Sequence, residues 1–249
     1  LDVEHIRQMM NQRIEQSGTD VIGAIIPLKI YGNDTNTDGV EDNQLLWSNL
    51  DGYYRMNVTC GDLAAYKGVS GRLRNITTSQ TKSAPLPYTS RVNGAWTDDN
   101  TWTNFPVWDV PNSNGINGSP IDWNIVRTAH NISSGNKDIT VLGLLVDANE
   151  LSIEDPGTPL NETNDGQMLW VTHYLKLDGR LDLVGESQLI QKRYNSNQIN
   201  GSIFDNTSLG YAERDQQGTI NSFNYNYFSS PFAPGNATIN NENTSNTFS

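Results

Sequence analysis

The chain has 249 residues, a formal net charge of −12, and only 35% of its residues in the hydrophobic set. Its few, scattered Lys and Arg exclude a phosphate-tracking basic stripe and with it nucleic acid; an anionic membrane surface would repel the chain, whereas divalent cations would be attracted. The single cysteine, Cys60, excludes an intrachain disulfide, and no apolar run approaches the roughly 18 residues of a transmembrane helix.

Abundant Asn, Thr, Ser, Asp and Gly suit short strands joined by many turns, and six Trp with ten Tyr argue against disorder over most of the length. Residues 1–18, LDVEHIRQMMNQRIEQSG, are expected to form one amphipathic helix. Val3, Ile6, Met10 and Ile14 share a face, Asp2 can cap the start, and Gly18 can stop the last turn. Such a face packs on its own domain or docks a partner. DVIGAIIPLKIYG, residues 20–32, reads as a buried strand or strand pair.

The loop that follows holds Asp34, Asn36, Asp38 and Asp42 around Gly39. Oxygen side chains at alternate positions about a sharp glycine turn form the opening half of an EF-hand-type loop, so these four residues are candidate calcium ligands. Leu45 occupies the twelfth position, where a bidentate Glu would stand, and this excludes a complete EF-hand. The competing reading is an Asp/Asn-rich turn bonded to its own backbone. NETNDG, residues 161–166, echoes the pattern weakly and reads as a turn.

Short strands and turns are expected over 45–73, and the Pro-containing polar stretch 77–90 reads as a connection. From Asn93 four Trp (Trp96, Trp102, Trp108 and Trp123) fall within about thirty residues, and Asn-Gly pairs at 93–94, 114–115 and 117–118 favour hairpin turns. Trp96, Trp102 and Trp108 are candidate sugar-stacking residues. Strands are expected at 124–132, 139–147 and 150–154. From Met168, apolar residues keep one parity through Leu169, Val171, His173, Leu175, Leu177, Leu181, Leu183 and Leu189. One flat strand of that length is unusual, so bends are expected at Gly179 and Gly185. The stretch LKLDGRLDLVGESQLIQ aligns in sixes, as the rungs of a hexapeptide β-helix do. Phe223, Tyr225 and Tyr227 alternate with Asn and read as a core or edge strand. Three regions result: 1–92, a helix and small β region with the calcium-like loop; 93–192, Trp-rich with the hexad-like repeat; and 193–249, an aromatic strand and polar tail. Residue 1 is Leu, and the chain is read as processed or as a piece of a larger protein.

Nucleophilic chemistry needs a base, and His5, His130 and His173 are the histidines of the chain. His173 shares parity with core leucines and reads as a buried, hydrogen-bonded residue. No nucleophile elbow, P-loop, dinucleotide fingerprint or H-E-x-x-H is present, and CGD at Cys60 gives zinc no partner ligands. Acidic residues in expected loops (Asp98, Asp99, Asp109, Asp122, Glu154 and Asp155) leave carboxylate-pair glycosidic chemistry open. Glu213, Arg214 and Asp215 read as a tight turn with an Arg–carboxylate pair.

The words LDGRLDLVGESQLIQ (Leu177–Gln191), ERDQQGT (Glu213–Thr219), YNYFSSP (Tyr225–Pro231) and GAWTDDNTW (Gly94–Trp102) carry a resemblance. Residues 93–232 resemble a conserved region of large flavobacterial cell-surface proteins exported by the type IX secretion system, some linked to gliding and adhesion. The resemblance implies export across the outer membrane, extracellular display on the bacterial cell surface, the secretion machinery as partner, and no catalytic residues. Residues 1–92 carry no such likeness.

The expected fold is therefore mainly β, a β-solenoid or β-sandwich-like stack of short strands with one N-terminal amphipathic helix. The leading function is a non-enzymatic module of a surface adhesin or filament that contacts glycans or a substratum. The alternatives are a carbohydrate-binding module and a calcium-dependent polysaccharide-active β-helix enzyme.

Overall fold

Alternation of apolar and polar residues needs two walls to bury against, and the chain supplies them by returning to the same two sheets. The computed structural model describes residues 1–36, 38, 41–55, 62–63, 66–72, 85–156, 166–193 and 202–215. In chain order they form one helix, α1 (Val3–Met9), then β1 (Ile14–Ser17), β2 (Asp20–Gly23), β3 (Asp62–Leu63), β4 (Gly71–Arg72), β5 (Tyr88–Thr89), β6 (Gly94–Ala95), β7 (Ile125–Thr128) and β8 (Ile132–Ser133). There follow β9 (Ile139–Val146), β10 (Glu150–Ile153), β11 (Met168–Leu177), β12 (Arg180–Leu183), β13 (Gln188–Ile190), β14 (Ile203–Phe204) and β15 (Tyr211–Arg214). The expected aromatic strand at Phe223–Tyr227 and Cys60 lie outside the described residues.

From β5 onward every pairing is parallel. One sheet runs β5-β7-β9-β11-β13, with β14 beside the second half of β11, and the other runs β6-β8-β10-β12-β15. The chain enters one sheet, crosses to the other, and returns beside its previous strand. Equivalent residues therefore stack. Ile132 pairs in register with Leu151, Leu151 with Leu181, and Leu181 with Ala212. On the opposite wall Val126 pairs with Leu144, and Leu144 with Leu175. These side chains share one core with Ile139, Val141, Ile153, Leu169, Val171 and Leu183, and Trp96 and Trp102 belong to it too. Each fully buried Leu contributes about 1.5–3 kcal/mol of apolar transfer. The fold is mainly β with a single α-helix among the described residues.

The turns fall at the expected glycines. A Cβ on Gly179 would lie 2.5 Å from the Asn149 carbonyl oxygen, and Gly185 takes φ +58°, a conformation open to glycine. β11 has a further feature. Its register against β9 slips between Val171 and Tyr174, so Thr172 and His173 form a bulge. The alternation breaks only at the bulge, since Leu169, Val171, Leu175 and Leu177 line the core on both sides of it. His173 keeps the numbering of the core leucines but turns to the outside of the sheet, where it meets α1.

The first sheet strand precedes the expected boundary at residue 93, since Tyr88 and Thr89 already pair with Val126 and Arg127. β14 and β15, beyond residue 193, continue the same two sheets. The parallel sheets thus run through both expected boundaries.

The N-terminal region departs from its expected form. Helix α1 stops at Met9, and Ile14–Ser17 pairs antiparallel with Asp20–Gly23, so Gly18, at φ +61°, turns a hairpin instead of ending a helix. The expected apolar face is also inverted. Val3, Ile6 and Met10 are about half exposed, while Glu4, His5 and Gln8 are buried. Hydrogen bonding decides this. The Gln8 side chain donates to the Tyr31 carbonyl at 2.8 Å, and Gln12 Oε1 accepts from the Ile25 and Ile26 amides. Polar side chains of α1 and of the residues after it thus satisfy backbone groups at 25, 26 and 31, while the Ile30 amide bonds the Val21 carbonyl of β2. Ile14, Val21, Ile30 and Leu45 form the local core. Ile26 leaves it to pack against Ile125, Leu142, Leu145 and Tyr174 on the outer face of the six-stranded sheet.

Candidate functional site

The polar parity of β10, β12 and β15 builds a flat outer face on the five-stranded sheet. Ser133, Ser152, Asp182 and Glu213 stand in one register row, and Glu150, Arg180 and Tyr211 in the next. Within a row, neighbouring residues are spaced by the strand separation of about 4.8 Å. Arg180 is the hub. Its guanidinium lies 2.7 Å from Glu150 Oε2, 3.1 Å from Asp182 Oδ2 and 2.7 Å from Glu213 Oε2. Glu154 Oε1 accepts from the Ser133 and Ser152 hydroxyls at 2.9 and 3.0 Å. Burial pushes the Asp182 carboxyl above its ordinary pKa, Arg180 opposes this, and Glu150, Glu213 and Asp215 add to it. The face can offer carboxylate and hydroxyl acceptors in a regular array. Glu213 and Arg214 are strand residues here, and Glu213 pairs with Arg180, in place of the expected tight turn.

A second cluster is buried between the N-terminal region and the six-stranded sheet. Glu4 Oε1 lies 3.2 Å from His173 Nε2, and Glu41 Oε2 lies 3.4 Å from Arg193 Nη2. All four residues are at most 6% exposed. Desolvation raises the pKa of Glu4 against Arg7 and Arg193, and raises that of Glu41 against Arg193, with Glu4 adding to the rise. The other ring nitrogen of His173, Nδ1, lies 2.8 Å from Thr172 Oγ1.

The expected ligand residues lie in the turn after residue 33, and the expected stacking Trp residues lie in or beside the core. In the calcium-like turn, Asn36 Oδ1 accepts from the Asp38 amide at 2.9 Å. Asp42 Oδ2 accepts from the Thr35 amide at 2.9 Å and from its hydroxyl at 2.6 Å, bonds that hold Asp42 below its ordinary pKa. Asp34 is in the same turn, and Gly39 lies outside the described residues. Among the described residues no group of three or more His, Cys, Asp or Glu gathers as ion ligands would. Trp96 and Trp102 are enclosed, 5.1 Å apart and edge to face, with indole N–H groups donating to the Pro111 and Trp96 carbonyls. Enclosed rings present no face to a sugar, so these two serve the core. Trp108 is partly exposed and packs on Tyr88 at 5.3 Å.

The remaining histidines are engaged as well. Ser90 Oγ lies 2.8 Å from His130 Nδ1 and accepts from the Ala129 amide at 2.9 Å, but Ser90 is buried, and the pair braces the turn after β7. His5 bridges Asp2 and the Asn43 carbonyl at 2.9 and 2.8 Å, beside an open cleft of about 700 Å³. Asp2 is occupied too. It caps α1 and accepts from the Asn33 amide.

Sequence reasoning missed both clusters for different reasons. The Arg180 face was marked by the polar parity of Asp178, Arg180 and Asp182. The buried cluster joins residues 4, 41, 173 and 193, which no local pattern connects. Comparison with protein-family models, with curated proteins and with solved structures returns no match.

Proposed function

We propose that the chain is a β-solenoid framework module of a secreted bacterial surface protein. It acts by stiff spacing and surface contact, and it catalyses no reaction. One observation carries the reading: strand registers advance together in both parallel sheets, coil upon coil, around a continuous apolar interior. Such a stack holds its outer face rigidly. The Ser133-Ser152-Asp182-Glu213 row with Arg180 is the contact surface in this reading, since it is flat, polar and regularly spaced. Export by the type IX route rests on the resemblance carried by Leu177–Gln191, Glu213–Thr219 and Tyr225–Pro231.

The test uses labelled full chain incubated with insoluble glycans and with glass. Retention is expected without release of reducing sugar, and the pair Asp182→Asn with Glu213→Gln should lower retention several-fold. Equal retention by that variant would remove the face from the account. Sugar release that stops on adding chelator would replace the reading with a calcium-dependent polysaccharide enzyme.

A further inference from the structure

We propose that Glu4, Glu41, His173 and Arg193 form a proton-sensitive latch, which holds the N-terminal region on the outer face of the six-stranded sheet at mildly acidic pH and loosens as pH rises. The inference is independent of what the outer face of the other sheet contacts.

The geometry supplies the latch. Four segments distant in sequence converge: α1 through Glu4, the end of the acidic turn through Glu41, the β11 bulge through His173, and the segment after β13 through Arg193. Each group is buried, so each charge depends on its partner. Arg7 of α1 and Asp122, ahead of β7, face the same cluster. Three carboxylates (Glu4, Glu41 and Asp122) therefore meet two fixed cations, Arg7 and Arg193, and one imidazole. Beside the latch, the region is also held by the apolar contact of Ile26 with Ile125, Leu142, Leu145 and Tyr174, by Asn11, which accepts from the Ile125 amide, and by Arg7 over the Trp123 ring.

The sign follows from the carboxylates. Burial raises Glu4, Glu41 and Asp122 above their ordinary values, with the arginines opposing. The docked state therefore binds these protons more tightly than a released state in water. Docking is strongest near and below the ordinary glutamate value of 4.5 and weakens as pH rises through the raised values. Release would uncover an apolar strip at Ile125, Leu142 and Leu145.

Amide hydrogen exchange on the full chain, corrected for the intrinsic rate, tests this at pH 5 and pH 8. Peptides spanning 21–30, 124–128 and 141–145 should lose protection several-fold at pH 8. Peptides spanning 151–153 and 181–183 should keep theirs. Glu4→Gln combined with Glu41→Gln removes two of the three carboxylate titrations and should bring the ratio closer to one. Equal wild-type protection at both pH values, or a uniform loss in every peptide, overturns the latch, as does an unchanged ratio in the double variant. Should that variant fail to fold, the wild-type comparison decides alone.

Discussion

Arg180 shows how much one side chain can organise. Its guanidinium faces Glu150, Asp182 and Glu213, two of them from neighbouring coils, and so ties three strands together across the outer surface. The pairs are partly exposed, with Arg180 at 31% and Glu213 at 50%, so water screens them and each contributes little stability alone. Their effect on titration is sharper. Removing the cation leaves Asp182 among like charges, so Arg180→Leu should raise the Asp182 pKa further, as read by carboxyl NMR titration. A raised carboxylate weakens the fold as pH climbs through that value, and the variant should lose more stability between acid and neutral pH than the parent does. Alternation in the sequence marked these residues as outward-facing. It could not show which carboxylates would gather on one arginine, because that depends on the number of residues in each coil.

At the scale of elements, the chain bends where a side chain will not fit. Gly179 lies against the backbone of the preceding coil, with the Asn149 oxygen 2.5 Å and the Ala148 carbonyl carbon 2.8 Å from where a Cβ would stand. Gly179→Ala must push two coils apart and should cost about 1–3 kcal/mol in denaturant melts, as overpacking does. The two bends were legible because glycine interrupts an otherwise strict period of two. The helix was legible only in part. Its start was marked by Asp2, which accepts from the Glu4 and His5 amides. Its end and its buried face were not, because Val3, Ile6 and Met10 follow a helical period that the tertiary structure does not use. The side chains of Gln8 and Gln12 were needed by the extended backbone at 25–31, and no single-helix pattern reports a demand made by another segment.

Across the whole molecule, the N-terminal region and the parallel sheets meet through an apolar contact, a buried ionic cluster, and Asn11, whose Oδ1 accepts from the Ile125 amide at 3.1 Å. Ile26 is the apolar part, buried against Ile125, Leu142, Leu145 and Tyr174. Ile26→Ala should cost about 2–5 kcal/mol if that contact behaves as other buried isoleucines do. Local opening should precede global unfolding, so trypsin should cut after Arg13 and Lys29 faster than in the parent, while 125–214 resists. Accelerated cleavage throughout the chain would mean that the two parts unfold as one unit. The sequence by itself determined the extended character of the chain, the glycine bends and the inward leucines, because period and punctuation are local properties of a strand. Tertiary structure alone decided that the sheets are parallel, that Trp96 and Trp102 are enclosed, and that residues 4, 41, 173 and 193 meet. Those outcomes depend on how many residues separate successive coils and on which distant backbone must be satisfied, and neither is written in any one segment.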